Sequence, residues 1–168
     1  YLAELLLKKD YQVHGLRQPL AVPDTEKLYS FLGDRAEHLT LHYGDMLDSG
    51  SLMALIARLQ PDEIYNLAAQ SHVHVSFAVP EQTLQVNAAG PLRILEAIRC
   101  LGFAEKTKFF QASTSELFGN AKAPQSEKTV MQPRSPYAAA KLYAYHTTRM
   151  YRDAYGLHAS NGIMFNHE

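Results

Sequence analysis

Ser113-Thr114-Ser115-Glu116 and Tyr137-Ala138-Ala139-Ala140-Lys141 hold hydroxyls, a carboxylate, a phenol and an ammonium within one run of chain. Tyr137 and Lys141 lie four apart in a helix-forming stretch, and residues at that spacing share a helix face. Pro136 suits a first helical turn and Ser135 suits the cap before it. A lysine beside a tyrosine favours the phenolate. That matters because a free tyrosine titrates at about 10, too high for a base near neutrality. Taken alone, Tyr-x-x-x-Lys is an ordinary solvated helix face with an aromatic packed behind it. The upstream stretch changes the weighing. Lys108-Phe109-Phe110-Gln111-Ala112 predicts a short buried strand that ends in Thr114, Ser115 and Glu116. In open α/β sheets, chemistry sits at the carboxyl ends of strands.

The rest of the chain supplies elements to position such a site. Residues 1–9 predict a helix with no cap and no initiator methionine, so the chain is expected to start inside an element. Residues 11–16 predict a strand with Arg17 at its carboxyl end. Residues 18–23 predict a loop, and Asp24 a cap for a short helix through Leu32. Residues 39–43 predict a strand followed by Gly44-Asp45-Met46. Ser49 or Ser51 is the expected cap of a helix from Leu52 to Leu59. Residues 63–67 predict a strand running into Ala68-Ala69-Gln70-Ser71, small residues that let a ligand approach the backbone. Helical periodicity covers 84–101, with Gly102 as its stop. A long polar loop leads to Ser135, a helix runs to about Tyr155 and stops at Gly156, and 159–165 predict a last strand.

Strand and helix alternate, which predicts an α/β fold with a doubly wound parallel sheet in one domain. Right-handed crossovers would put Arg17, Asp45, Ala68–Ser71, Thr114–Glu116 and Asn166–His167 along one edge. An arginine after the second strand suits a phosphate near an adenosine ribose. Asp45 can accept from an adenine amine. The Gly-rich phosphate loop of a dinucleotide site is absent, and is expected just upstream of Tyr1. The domain, residues 1–168, is therefore expected to be cut at both ends.

The composition narrows the function classes. The chain has 168 residues, 46% hydrophobic and 20% charged, with a formal net charge of −1. That balance gives no electrostatic case for nucleic acid or an anionic membrane. No apolar run approaches the roughly 20 residues of a membrane span. The single Cys100 cannot form an internal disulfide, fits a reducing compartment, and reads as buried filler. His72 and His74, like His38 and His42, lack a third ligand at metal-site spacing, so no metal is expected.

Several longer segments are more specific: Tyr43-Gly44-Asp45, Tyr65-Asn66-Leu67-Ala68-Ala69-Gln70-Ser71-His72-Val73, Gln111-Ala112-Ser113-Thr114-Ser115-Glu116-Leu117-Phe118-Gly119, Pro133-Arg134-Ser135-Pro136-Tyr137-Ala138 and Asn161-Gly162-Ile163-Met164-Phe165-Asn166-His167-Glu168. On these the chain resembles the extended short-chain dehydrogenase/reductase group, and within it the GDP-mannose 4,6-dehydratase family. The resemblance implies a Rossmann-type fold and conversion of GDP-mannose to GDP-4-keto-6-deoxymannose by internal oxidation and reduction. It implies Tyr137 as the base at the C4 hydroxyl, Thr114 as a donor to the C4 oxygen and Glu116 as the base at C5. Lys141 would hold the nicotinamide ribose and depress the Tyr137 pKa. Ser115 and Asn166 fall near the sugar or its phosphates. Cofactor contacts fall on Arg17, Asp45, Met46, Leu67, Ala68, Ala69, Gln70, Ser71, Lys141 and His167, although Leu67–Ala69 can equally be strand packing.

The family's usual Arg-Arg pair after the second strand is here Leu16-Arg17-Gln18-Pro19, which leaves NADP and NAD both open. Gln82 stands where a cofactor-contacting tyrosine is usual. The resemblance also implies a homo-oligomer, dimer or tetramer, acting in cytoplasmic nucleotide-sugar metabolism toward a deoxysugar. A nucleotide-sugar epimerase or reductase would keep Tyr137 and Lys141 without needing Glu116 at C5. A non-catalytic fragment is the third reading, against which the four intact catalytic positions count.

Overall fold

The structure, a computed structural model, describes residues 1–18, 29 and 32–166. Residues 19–23 of the loop expected at 18–23, the helix expected from Asp24 (apart from Tyr29 and Leu32), and His167 and Glu168 lie outside the described residues.

The chain divides into two compact units, Tyr1–Asp45 and Met46–Glu168. In the first, helix α1 (Leu2–Leu7) precedes strand β1 (Val13–Arg17), and a 3₁₀ helix (Gly33–His38) leads into strand β2 (Leu39–Tyr43). β1 and β2 pair in parallel from Val13↔Leu39 to Arg17↔Tyr43. Their inward residues Val13, Leu39 and Leu41 pack with Leu7 and Leu32. That small core follows from the period-two alternation of side chains along a strand.

The second unit holds helices α2 (Ser49–Leu59), α3 (Val73–Ala78), α4 (Pro80–Leu84), α5 (Gly90–Cys100) and α6 (Pro136–Tyr155). They accompany strands β3 (Glu63–Asn66), β4 (Lys108–Ala112) and β5 (Ala159–Gly162), which form a parallel sheet in the order β3-β4-β5. Parallel neighbours joined through helices are what the strand–helix alternation predicts. The expected single sheet is thus seen as a parallel pair and a parallel triple, one in each unit.

The second core gathers Leu52 and Ile56 of α2, Leu95 and Ile98 of α5, Phe109 of β4, Tyr151 of α6 and Leu157. The 84–101 stretch is helical as expected but not uniform, because a π turn at Gln85–Ala89 separates α4 from α5. Helix α3 was not legible in the sequence; its six residues carry no capping hydrogen bond from a side chain. The cap of α2 is Asp48 rather than Ser49 or Ser51. Its carboxylate accepts from the Ser51 amide at 3.0 Å, an anion at a helix start. The last strand stops at Gly162, three residues short of the expected end.

Cys100 is exposed, which corrects its expected burial. It is the last residue of α5, off the stripe of Ile94, Leu95, Ala97 and Ile98 that faces the core. Among the described residues no helix is long and apolar enough to cross a membrane.

Candidate active site

The carboxyl end of β4 and the first turns of α6 meet through one hydrogen bond. Ser135 caps α6, its hydroxyl accepting from the Ala138 amide at 3.0 Å, and Pro136 takes the first turn. The small residues Ala138, Ala140 and Ala144 are all buried, so the helix packs closely against the sheet and the turn after β4. Lys141 is carried into that contact and is only 3% exposed. Its Nζ donates to the Ala112 carbonyl at 3.0 Å. Burial pushes the Lys141 ammonium down to about 8, because taking the charged form out of water is costly. Nζ lies 5.9 Å from the centroid of the Tyr137 ring, within cation–π range. Tyr137, one turn earlier on the same face, is also buried.

Beyond Ala112 the chain turns sharply. Ser113 donates its amide to the Gly162 carbonyl at 2.9 Å, while its buried hydroxyl has no hydrogen-bond partner among the described residues. Thr114 caps a single 3₁₀ turn, Ser115–Phe118, accepting from the Glu116 amide at 3.2 Å. Leu117 and Phe118 anchor the turn in the core, which leaves Glu116 exposed. The Ser115 amide donates to the Met164 carbonyl at 2.9 Å, and Phe118 stacks near Phe165. Asn166 follows that phenylalanine and is exposed. Thr114, Ser115, Glu116, Tyr137 and Lys141 are therefore carried on two elements joined at Ala112, and Asn166 follows a segment tied to the same turn.

The loop after β3 is built separately. Asn66 is buried and accepts from the Ala68 amide at 3.3 Å. Asn87 forms a reciprocal pair with Gln70: it accepts from the Gln70 amide at 2.8 Å and donates to the Gln70 carbonyl at 2.9 Å. Leu67 is 52% exposed, so packing of the strand does not account for it. Ala68 and Ser71 are exposed, and Ala69 and Gln70 half-buried. A loop with its backbone pinned at two points and small side chains outward can receive an extended ligand without reorganising.

In the first unit, Arg17 ends β1 with its guanidinium 4.8 Å from the centroid of the Tyr43 ring. Gln18 donates to Asp45 at 3.2 Å. Met46, expected at the adenine, opens the second unit. Its side chain is buried in the second core and its carbonyl accepts from Arg93 at 2.8 Å. An apolar side chain beside Gly90 gains more from burial than from an open edge.

Sequence reasoning missed Asn66, Gln111, Asn87 and Arg93. The visible signal was a polar residue at a position whose neighbours predict burial. Arg93 holds the π turn, donating to the Gln85 carbonyl and side chain as well as to Met46.

A buried lysine four residues after a tyrosine, behind the carboxyl end of a parallel strand, defines a Rossmann-type scaffold of the short-chain dehydrogenase/reductase class. The family model described as GDP-mannose 4,6 dehydratase matches residues 1–168, and the chain belongs to that family. It is 56% identical over 172 residues to a GDP-mannose 4,6-dehydratase of Sinorhizobium fredii, covering 100% of this chain and 49% of that protein. It is 54% identical over 172 residues to one from Vibrio cholerae serotype O1, covering 100% of this chain and 46% of the relative. The chain thus spans about half the length of these curated relatives. Among solved structures it is similar to a dTDP-glucose 4,6-dehydratase from Streptomyces venezuelae with NAD and TYD bound. The TM-score there is 0.78 at 26% identity, over 92% of this chain and 48% of that one.

Proposed function

We propose that the protein carrying this chain converts GDP-mannose to GDP-4-keto-6-deoxymannose, a carbon–oxygen lyase reaction run through a bound nicotinamide cofactor. The observation that carries the reading is the Lys141–Ala112 hydrogen bond. It joins the tyrosine–lysine helix to the strand end that presents Thr114 and Glu116, in a chain of this family. The residues present fit a nicotinamide dinucleotide. The β3 loop is pinned with small residues outward, and the Lys141 ammonium carries three donors, of which Ala112 takes one.

Held there, a nicotinamide would supply a hydride acceptor for the sugar C4 and a hydride donor to C6. Tyr137 takes the C4 hydroxyl proton, and Thr114 donates to the C4 oxygen as charge develops there. The resulting ketone acidifies the C5 hydrogen. Glu116, exposed on its 3₁₀ turn, takes that proton and gives it to the C6 hydroxyl, which leaves as water; the proton taken from the C4 hydroxyl balances the one C5 regains when C6 is reduced. Lys141 holds the ribose, and Leu67–Ser71 line the cofactor's length. Ser115 and Asn166 contact the hexose or its phosphates. Arg17 and Asp45 take the adenosine end, and the guanidinium favours NADP over NAD. His167 falls on the nicotinamide side. Residues 1–168 form part of one dinucleotide-binding domain, in a cytoplasmic homo-oligomer of two or four subunits.

The test uses the whole enzyme with GDP-mannose and catalytic NADP, the product followed by NMR. Wild type is expected to give the 4-keto-6-deoxy sugar. Glu116→Gln is expected to lose it by at least about 100-fold. A C4 epimer, or unchanged substrate, would move the assignment to another nucleotide-sugar enzyme on this scaffold.

A further inference from the structure

We propose that Gln111 and Asn66 form a buried amide relay that holds Lys141 and the β3 loop in register, making Gln111 a positioning residue for the reaction. The role rests on the function proposed above. Gln111 is fully buried and Asn66 is 3% exposed. They are direct partners in the parallel β3–β4 ladder. An amide in such a place is costly unless its donors and acceptors are met, and a leucine or methionine would fill the space without that cost.

Here the hydrogen bonds run in one direction. The Ala68 amide donates to Asn66 Oδ1 at 3.3 Å, and Asn66 Nδ2 donates to Gln111 Oε1 at 2.8 Å. Gln111 Nε2 then donates to the Ala112 carbonyl at 2.8 Å, the same oxygen that accepts from Lys141 at 3.0 Å. β3 ends at Asn66, one register position short of Ala112, so that ladder reaches no further. Two side chains share the Ala112 oxygen instead. Aligned bonds of this kind polarise one another, so loss of the middle link weakens both ends. The Gln70 amide is held independently by Asn87 and lies outside the relay.

The experiment compares whole-enzyme wild type with Gln111→Met and Asn66→Asp. Met keeps the length of glutamine without its polar atoms, and Asp keeps the acceptor for Ala68 while removing the donor to Gln111. Thr148→Val is the control, since Thr148 is buried on α6 but donates only to its own helix at Ala144. Turnover, KM, thermal stability and residue-resolved amide exchange are measured.

Both relay variants are expected to lower kcat at least about 10-fold, with KM for GDP-mannose within about 3-fold. In Gln111→Met, amide exchange at Ala68 should rise at least about 10-fold while Gln70 stays unchanged. Thr148→Val should change neither kcat nor Ala68 exchange. Wild-type exchange at Ala68 in Gln111→Met, or a kcat loss in the relay variants no larger than in Thr148→Val, overturns the relay. If wild type makes no 4-keto-6-deoxy product, the dehydratase reading fails, and exchange at Ala68 alone then decides the relay. If Gln111→Met does not fold, Asn66→Asp decides by its kcat against that of Thr148→Val.

Discussion

Lys141 is where charge and burial conflict most directly. Its ammonium is moved from 10.5 to about 8, a difference worth about 3 kcal/mol between its two protonation states. The folded protein holds this proton less tightly than the unfolded chain. Between about 8 and 10.5 the unfolded chain therefore binds more protons, and stability rises with pH across that window. Below 8 both states are charged and the full burial cost applies. Denaturant melts of wild type and Lys141→Met should show this as a difference. Relative to the methionine variant, wild type should gain about 3 kcal/mol from pH 7.5 to pH 11. A difference independent of pH would mean that the lysine reaches water in solution.

At the scale of elements, two joints carry the arrangement. Gly119 closes the 3₁₀ turn that presents Glu116, with φ of 54°. A Cβ there would lie 2.0 Å from the Gln132 carbonyl oxygen, which is backbone and cannot swing away. Gly119→Ala is expected to destabilise by more than about 3 kcal/mol or to displace the turn, measured by thermal melt and by the loss of product formation. The second joint links α5 to α6. Glu96 accepts from Arg99 on its own helix and from Tyr151 across the gap. Arg99 and then Tyr151 hold the Glu96 carboxyl down to about 2. Burial first, and the Glu96 bond second, push the Tyr151 phenol up. Because the carboxylate's folded pKa is depressed, its contribution is present above 4.5 and is lost as pH falls toward 2. Tyr151→Phe should cost about 1 kcal/mol at pH 7, a fall of about 2–4 °C in Tm. That difference should shrink through the same acidic window.

At the scale of the whole chain, cofactor affinity depends on what residues 1–168 supply. They contain no Gly-x-Gly-x-x-Gly loop to cradle a pyrophosphate. Residues 1–168 alone should bind NADP more weakly than about 100 µM by calorimetry, equivalent to less than about 5.5 kcal/mol. Tight binding would show that these residues suffice without that loop.

Much of this was legible in order along the chain. Strands at 39–43 and 108–112 and the helix from Ser135 to Gly156 follow from local rules: apolar runs of strand length, a hydroxyl cap with proline after it, and a glycine at φ of 69° to stop. Tyr137 and Lys141 could be paired because their spacing is a property of one helix. Residues whose roles depend on a neighbour distant in sequence were not legible. Gln111 and Asn66 are 45 positions apart, and Asn87 reaches back 17 to Gln70. Their place among apolar neighbours hints at burial, but nothing local says which partner each amide meets. Cys100 and Met46 went the other way, because one helical step decides exposure at the end of α5 and the packing of Gly90 draws Met46 inward. The sequence by itself determined the parallel α/β alternation and the residues able to do proton chemistry, since both are set by patterns within a few residues. Only the tertiary structure decided which buried carbonyl holds the lysine, which amides support it and which side chains face outward. Hydrogen bonds between strands and helices depend on distances that the order of residues does not contain.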